Sequence, residues 1–324
     1  MTPTMRRTSV FALAVALCFS LVTAGPASAK KGSCGRASGC TKFELIHAGS
    51  TYGWYPAAKR MEFESAKGVH PPAAWSLNGH ATTWASGKAG SGTLKTMAGP
   101  DAGNLFTTWR FGKVNGRWEV RFRSLSKRDP GSSTIQMQNP STGAWENVPA
   151  VDYNVRLELV PYGSPAVRCT PTSILMSGYN PAVRRTATIG VTAPGATYAG
   201  TVTPWSQVAD LNSSRHWSGP VNSKQSAWHV WAVELKPTVI TWFLDGKVVR
   251  RAPRPASIRN TAFMFRETLL ASTDASKHTA LVQTQLDWAR YWTLKRTTKK
   301  KKKRRALNTA PLLARSGASS LGPC

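Results

Sequence analysis

Trp228–Arg250 reads WHVWAVELKPTVITWFLDGKVVR, and this stretch decides the fold class. Trp231, Val233 and Leu235 alternate onto one face of a first strand, and Ile240, Trp242 and Leu244 onto one face of a second. Period two is the signature of strands with one buried face. Pro237 falls between the two runs, where its missing N–H breaks no ladder. Asp245-Gly246 then marks a further two-residue turn. A type I′ turn needs positive φ at both central positions, and Asp-Gly tolerates that better than most pairs.

The same period extends outward in both directions. Trp118–Phe122 (WEVRF) alternates, and so does Val155–Val160 (VRLELV), with Val155, Leu157 and Leu159 on one face and Arg156 and Glu158 on the other. Ala187–Val191 (ATIGV) is a short strand, and Leu281–Leu294, ending LDWARYWTL, is a last one. No long stretch has a 3.6-residue period. Many short strands in a chain with 26 Gly and 21 Pro argue for an all-β sandwich or barrel. Trp118, Trp231, Trp242 and Trp288 fall on alternating positions and are expected in its core.

The ends differ from the body. Arg6 and Arg7 precede an apolar run near 13 residues, too short for a bilayer core of about 30 Å, and Ala27-Ser28-Ala29 is a cleavage-site pattern. Residues 1–29 are therefore expected to be a cleaved signal peptide, 30–42 a leader, 43–296 the β-sandwich and 297–324 a Lys/Arg-rich disordered tail. An exported chain fits its remaining cysteines: Cys34, Cys40, Cys169 and Cys324 allow two disulfides in three connectivities. Their spacing is not that of a zinc site, and no metal or cofactor is expected. Of the formal +28, two charges sit in Arg6 and Arg7 and nine between Lys295 and Arg305, which leaves +17 for the body. Lys299, Lys300, Lys301, Lys302, Lys303, Arg304 and Arg305 form the densest run, a candidate polyanion-binding arm. No nucleic-acid-binding motif accompanies it, so a specific nucleic acid is not expected.

Several motifs resemble family-16 glycoside hydrolases, the laminarinase and endo-β-glucanase type with a concanavalin A-like jelly roll. They are Asn115-Gly116-Arg117-Trp118-Glu119-Val120-Arg121, then Trp228-His229-Val230-Trp231-Ala232-Val233-Glu234 followed by Ile240-Thr241-Trp242-Phe243-Leu244-Asp245-Gly246-Lys247, and finally Asp287-Trp288-Ala289-Arg290-Tyr291-Trp292. Ala74-Trp75-Ser76-Leu77 is similar to the family's first-strand tryptophan. The resemblance implies a single concanavalin-like sandwich from about Phe43 to Leu294.

It also implies a catalytic strand carrying Glu-x-Asp-x-x-Glu on a concave face, with one Glu as nucleophile and the other as acid/base. None of the 15 acidic residues forms that pattern. Strand order places the missing motif at Ser173–Gly178, with Ser173 and Gly178 at the glutamate positions and Leu175 at the Asp. A second register over Ala150–Val155 retains only Asp152. Neither restores the pair, and serine, leucine and glycine cannot supply a carboxylate's chemistry.

What remains is recognition. Sugar rings stack on exposed indoles, and Trp205, Trp217, His216 and Tyr179 are the carbohydrate-binding candidates. The leading expectation is an exported protein of polysaccharide recognition, of the β-glucan type that the resemblance implies, secreted or held at the cell wall, on a hydrolase scaffold that no longer cleaves. Two alternatives stand beside it. One is an active endo-β-glucan hydrolase using displaced carboxylates such as Asp152 or Glu158. The other is a binder of polyanions or anionic cell-wall polymers through its basic tail.

Overall fold

The computed structural model describes residues 47–54, 57–63, 74–78, 82–86, 93–126, 128, 132–179, 187–202, 228–294 and 312–315. A five-residue helix, α1 (Ala48–Tyr52), opens it. Five strands come next: β1 (Lys59–Met61), β2 (Trp75–Asn78), β3 (Thr82–Ser86), β4 (Thr93–Ala98) and β5 (Leu105–Trp109). After them stand β6 (Gly116–Ser126), β7 (Thr134–Gln138), β8 (Trp145–Val151), β9 (Asn154–Pro161), β10 (Ser173–Tyr179), β11 (Ala187–Ala193) and β12 (Ala196–Val202). The last set is β13 (His229–Leu235), β14 (Val239–Leu244), β15 (Lys247–Pro253), β16 (Phe263–Leu270), β17 (His278–Thr279), β18 (Val282–Trp292) and β19 (Ala314–Arg315).

Two sheets form a sandwich. The first runs β15-β14-β13-β6-β18-β4-β3, with β1 also pairing β18, and the second runs β19-β12-β11-β10-β9-β16-β5-β2. One apolar cluster joins their inner faces: Trp118, Val120, Trp231, Val233, Trp242 and Leu286 from the first meet Val155, Leu157, Ile174, Ile189, Val191 and Phe265 from the second. Trp288 is also buried, but on the other side of β18, against the Arg290 guanidinium. The expected all-β sandwich is the fold observed. Ser126–Val151, which the resemblance leaves unaccounted for, holds β7 and β8, and a third small sheet, β17-β8-β7, is built on them.

The expected turn is present. β14 and β15 are joined by Asp245 at φ 47° and Gly246 at φ 74°. A Cβ at position 246 would lie 2.9 Å from the Thr51 hydroxyl and 3.3 Å from the His47 carbonyl. Gly246→Ala combines left-handed strain with that crowding, so it is expected to cost about 1–2 kcal/mol. A thermal melt checks it, with a fall of several degrees expected.

The carboxy-terminal stretch contributes four described residues, 312–315. Within the segment expected to be a disordered tail, β19 pairs antiparallel with β12, matching Tyr198 to Arg315 and Ala199 to Ala314. Leu313 is buried in the main core and its N–H donates to the Arg251 carbonyl at 2.7 Å. The reason is local: of the Leu312-Leu313 pair past the lysine run, Leu313 is buried in the core while Leu312 stays exposed. The run from Lys299 to Arg305 lies outside the described residues, and so do the signal segment and the leader. Among the described residues, no helix is long and apolar enough to cross a membrane.

Candidate functional site

The charged letters of the matching motifs lie on the outer face of the first sheet, where they bind each other. Arg117 donates to Glu234 at 2.6 Å, and the two are register partners on β6 and β13. Arg121 donates to Asp287 at 2.5 Å. Arg290 holds Glu62 with two bonds of 2.8 and 2.9 Å. The Glu119 carboxylate is fully buried, accepting the Ala48 N–H at 2.5 Å and the Gly49 N–H at 3.3 Å, with His47 Nδ1 3.0 Å away. His229 Nδ1 lies 2.7 Å from Asp245, fixing the turn to its strand. Gly116 is required because a Cβ there would sit 2.2 Å from the Tyr291 ring. These residues align strands and seat the amino-terminal segment, which explains why fold motifs can stand where a catalytic motif does not.

The candidate site is the outer face of the second sheet. Alternation along β9 sends Val155, Leu157 and Leu159 into the core and Arg156 and Glu158 outward. On β16 it sends Phe263, Phe265 and Leu269 inward, and Arg266 and Thr268 outward, opposite Glu158 and Arg156 respectively. The Thr268 hydroxyl donates to Glu158 Oε1 at 2.9 Å, and Arg156 Nη2 to Glu158 Oε2 at 3.3 Å. Arg266 Nη2 donates to the Ser164 and Pro165 carbonyls, at 3.0 and 2.9 Å, from the loop between β9 and β10. Its guanidinium also lies 5.7 Å from the Phe106 ring.

Strand β10, which holds Ser173, Leu175 and Gly178, lies between β9 and β11. A spacing of two then three residues keeps three side chains on one face only if the strand carries an extra residue. That irregularity is present: the register shifts between Leu175 and Ser177 against β9. Leu175 therefore opposes Glu158 and Gly178 opposes Arg156, both on the outer face. The Leu175 carbonyl is taken by the Trp242 indole N–H at 2.9 Å. A Cβ at Gly178 would meet the Leu175 Cδ2 at 2.9 Å, so the Leu175 side chain fills the space beside that position.

The carboxylates near this face are few among the described residues. Glu158 is the acidic side chain that described outward positions of β9, β10 and β16 contribute, and it is engaged by Arg156 and Thr268. Asp152 precedes β9 and is turned to the other sheet, bonded to Ser126 at 2.6 Å and to Arg128 at 3.0 Å. The face is also more enclosed than an open cleft: Arg156, Glu158, Ser173, Leu175, Arg266 and Thr268 are all 5% exposed or less.

Trp205, His216 and Trp217 lie outside the described residues. Tyr179 ends β10, and its side chain is likewise not described. Cys169 is exposed in the β9–β10 loop, whereas Cys34, Cys40 and Cys324 are outside the described residues. Among the described residues no cluster of His, Cys, Asp or Glu could hold a metal. Sequence reasoning missed Arg266 and Thr268. The signal was available, since FMFRETLL has core parity at Phe263, Phe265 and Leu269, and the residues between them must point outward.

No known family profile matches the chain, and no curated protein matches it. Solved structures do. A laminarinase from Rhodothermus marinus is 16% identical, over 73% of this chain and 96% of its own, at a TM-score of 0.46. The catalytic domain of an endo-1,3-β-glucanase from Thermotoga petrophila is 11% identical, over 74% and 98%, at 0.48. A GH16 protein of Bacteroides ovatus, in complex with a G4G4G3G product, is 8% identical, over 72% and 99%, at 0.48.

Proposed function

We propose that this chain is an exported polysaccharide-binding protein whose sandwich recognises a glycan without cleaving it. The observation that carries the proposal is the chemistry of β10, where Ser173, Leu175 and Gly178 stand at the positions the resemblance gives to the catalytic carboxylates. The acidic group beside them, Glu158, is tied to Arg156 and Thr268, and among the described outward positions of β9, β10 and β16 it has no second carboxylate to share a proton with. The signal-like first 29 residues support export, and the even number of cysteines that remain supports disulfides. The excess of positive charge supports retention on anionic surfaces, with the lysine run as a second, salt-sensitive point of attachment.

The test is depletion of the full mature chain on insoluble polysaccharides at low and high salt, with released reducing ends assayed in the same tubes. A variant with Lys299 to Lys303 changed to Gln is preferable to truncation, because truncation would also remove Leu313 from the core. Salt-resistant depletion without released sugar is expected. Release that disappears in Glu158→Gln would establish a hydrolase with displaced carboxylates, and depletion lost in the lysine variant would assign all binding to the tail.

A further inference from the structure

On the outer face of the second sheet, two arginines offer more hydrogen-bond donors than the protein accepts. Arg266 is 1% exposed; its Nη2 is satisfied by the Ser164 and Pro165 carbonyls, but its Nε and Nη1 have no acceptor. Arg156 is 5% exposed; its Nη2 reaches Glu158 at 3.3 Å, while its Nε has no acceptor. Both flank the same carboxylate, Arg156 two residues along β9 from Glu158 and Arg266 across the ladder from it. Two guanidiniums thus face one carboxylate, in a chain of formal charge +28.

Buried N–H donors without acceptors are rare in folded proteins, and orphaned ones on a charged group are the costliest. A neutral hydroxyl would supply an acceptor but leave the excess positive charge. An oxyanion supplies both, and the planar guanidinium fork matches a carboxylate or sulfate with paired N–H bonds. We propose that this face takes an acidic polysaccharide, one carboxylate or sulfate group of which is received between Arg156 and Arg266. The proposal rests on the glycan-binding reading and names its substrate class. The group that has to reach the buried nitrogens is the charged one, and the sugar rings need only pass outside it.

The test is thermal unfolding of the full mature chain with galacturonate, galactose 6-sulfate or galactose at equal concentration. Salt is held near physiological strength, where the Debye length is about 8 Å and diffuse attraction is screened. The same protein is then depleted on polygalacturonate, a sulfated galactan and laminarin. Ligand that binds only the folded state raises the midpoint. A rise of a few degrees is expected with one acidic sugar and none with galactose; the larger rise tells carboxylate from sulfate. Arg266→Gln and Arg156→Gln are expected to abolish the rise and to weaken retention on the acidic polymer about tenfold or more. Arg259→Gln, which removes an equal charge from an exposed position, should retain both. Should Gln at 266 prevent folding, Arg156→Gln gives the same reading at a site that makes a single bond. Equal shifts with galactose and galacturonate, or an acidic-sugar shift that survives both arginine variants, would overturn the inference. Laminarin retained as well as the acidic polymers would sink it while leaving glycan binding intact, whereas retention on no polymer would sink both.

Discussion

Glu267→Gln is expected to stabilise the domain by about 3 kcal/mol at pH 8 and by less than about 1 kcal/mol at pH 5. Glu267 shares the inner face of β16 with Phe265 and Leu269 and is 1% exposed inside the sandwich. The groups about its carboxyl are hydroxyls. Thr96 on β4 donates to Oε2 at 3.5 Å, Thr107 on β5 lies 3.4 Å from Thr96, and Thr284 on β18 completes the set. None of these titrates or carries charge, and Oε1 has no partner. Burial pushes the Glu267 pKa up from 4.5 to about 7, against the smaller pull of the Thr284 and Thr96 hydrogen bonds. The sign comes from proton counting. Between pH 4.5 and 7 the folded chain holds a proton that the unfolded chain has released, so stability falls as pH rises through that window and stays low above it. Glutamine mimics the protonated form and cannot ionise. Urea unfolding of both proteins at pH 5 and pH 8 measures the difference; a gap that does not widen with pH would mean that the Glu267 charge is solvated or paired at neutral pH.

Glu119→Ala is expected to cost about 3 kcal/mol or more, because it strips acceptors from buried donors instead of removing a whole contact. Glu119 receives the first two N–H groups of α1 and lies beside His47. It thereby seats a segment whose Ala48 and Trp54 pack on Ala232, Phe243 and Trp292. Arg117 also lies 5.0 Å from the Trp54 ring while bonded to Glu234, so the strand motif and the amino-terminal segment hold each other. Glu119→Gln keeps one acceptor oxygen and should lose less. A lower urea midpoint, with early proteolysis near Gly53, is the expected result. Cleavage and midpoint both unchanged would show that the aromatic packing alone docks the segment.

The parts of the fold that depend on parity were legible. Trp231, Val233 and Leu235 and then Ile240, Trp242 and Leu244 all reach the core as alternation requires, and both residues of the Asp245-Gly246 turn have positive φ. Order along the chain also placed β10 between its neighbours, with Leu175 and Gly178 on the outer face. Three features were not legible. Glu267 occupies a core position that parity assigns to it, but a carboxylate is ordinarily read as pointing to water. Leu313 was hidden by the charge run before it, since composition is averaged and docking depends on one side chain. The pairing of Arg266 with loop carbonyls joins residues a hundred positions apart, which no local pattern encodes.

The return of residues 312–315 to β12 has a topological consequence. β18 ends at Trp292 in one sheet and β19 begins at Ala314 in the other, so the chain that carries the lysine run joins described strands of two different sheets. Both described ends of that connection are paired, so a cut between them by a trypsin-like protease is expected not to release the piece beyond the cut. The nicked protein is expected to elute as one particle and to separate into two pieces only when denatured. Loop closure costs only a logarithm of length, so added lysines would be tolerated almost freely in such a span. The constraint on this segment falls on its last anchor, Leu313, and not on the number of charges before it.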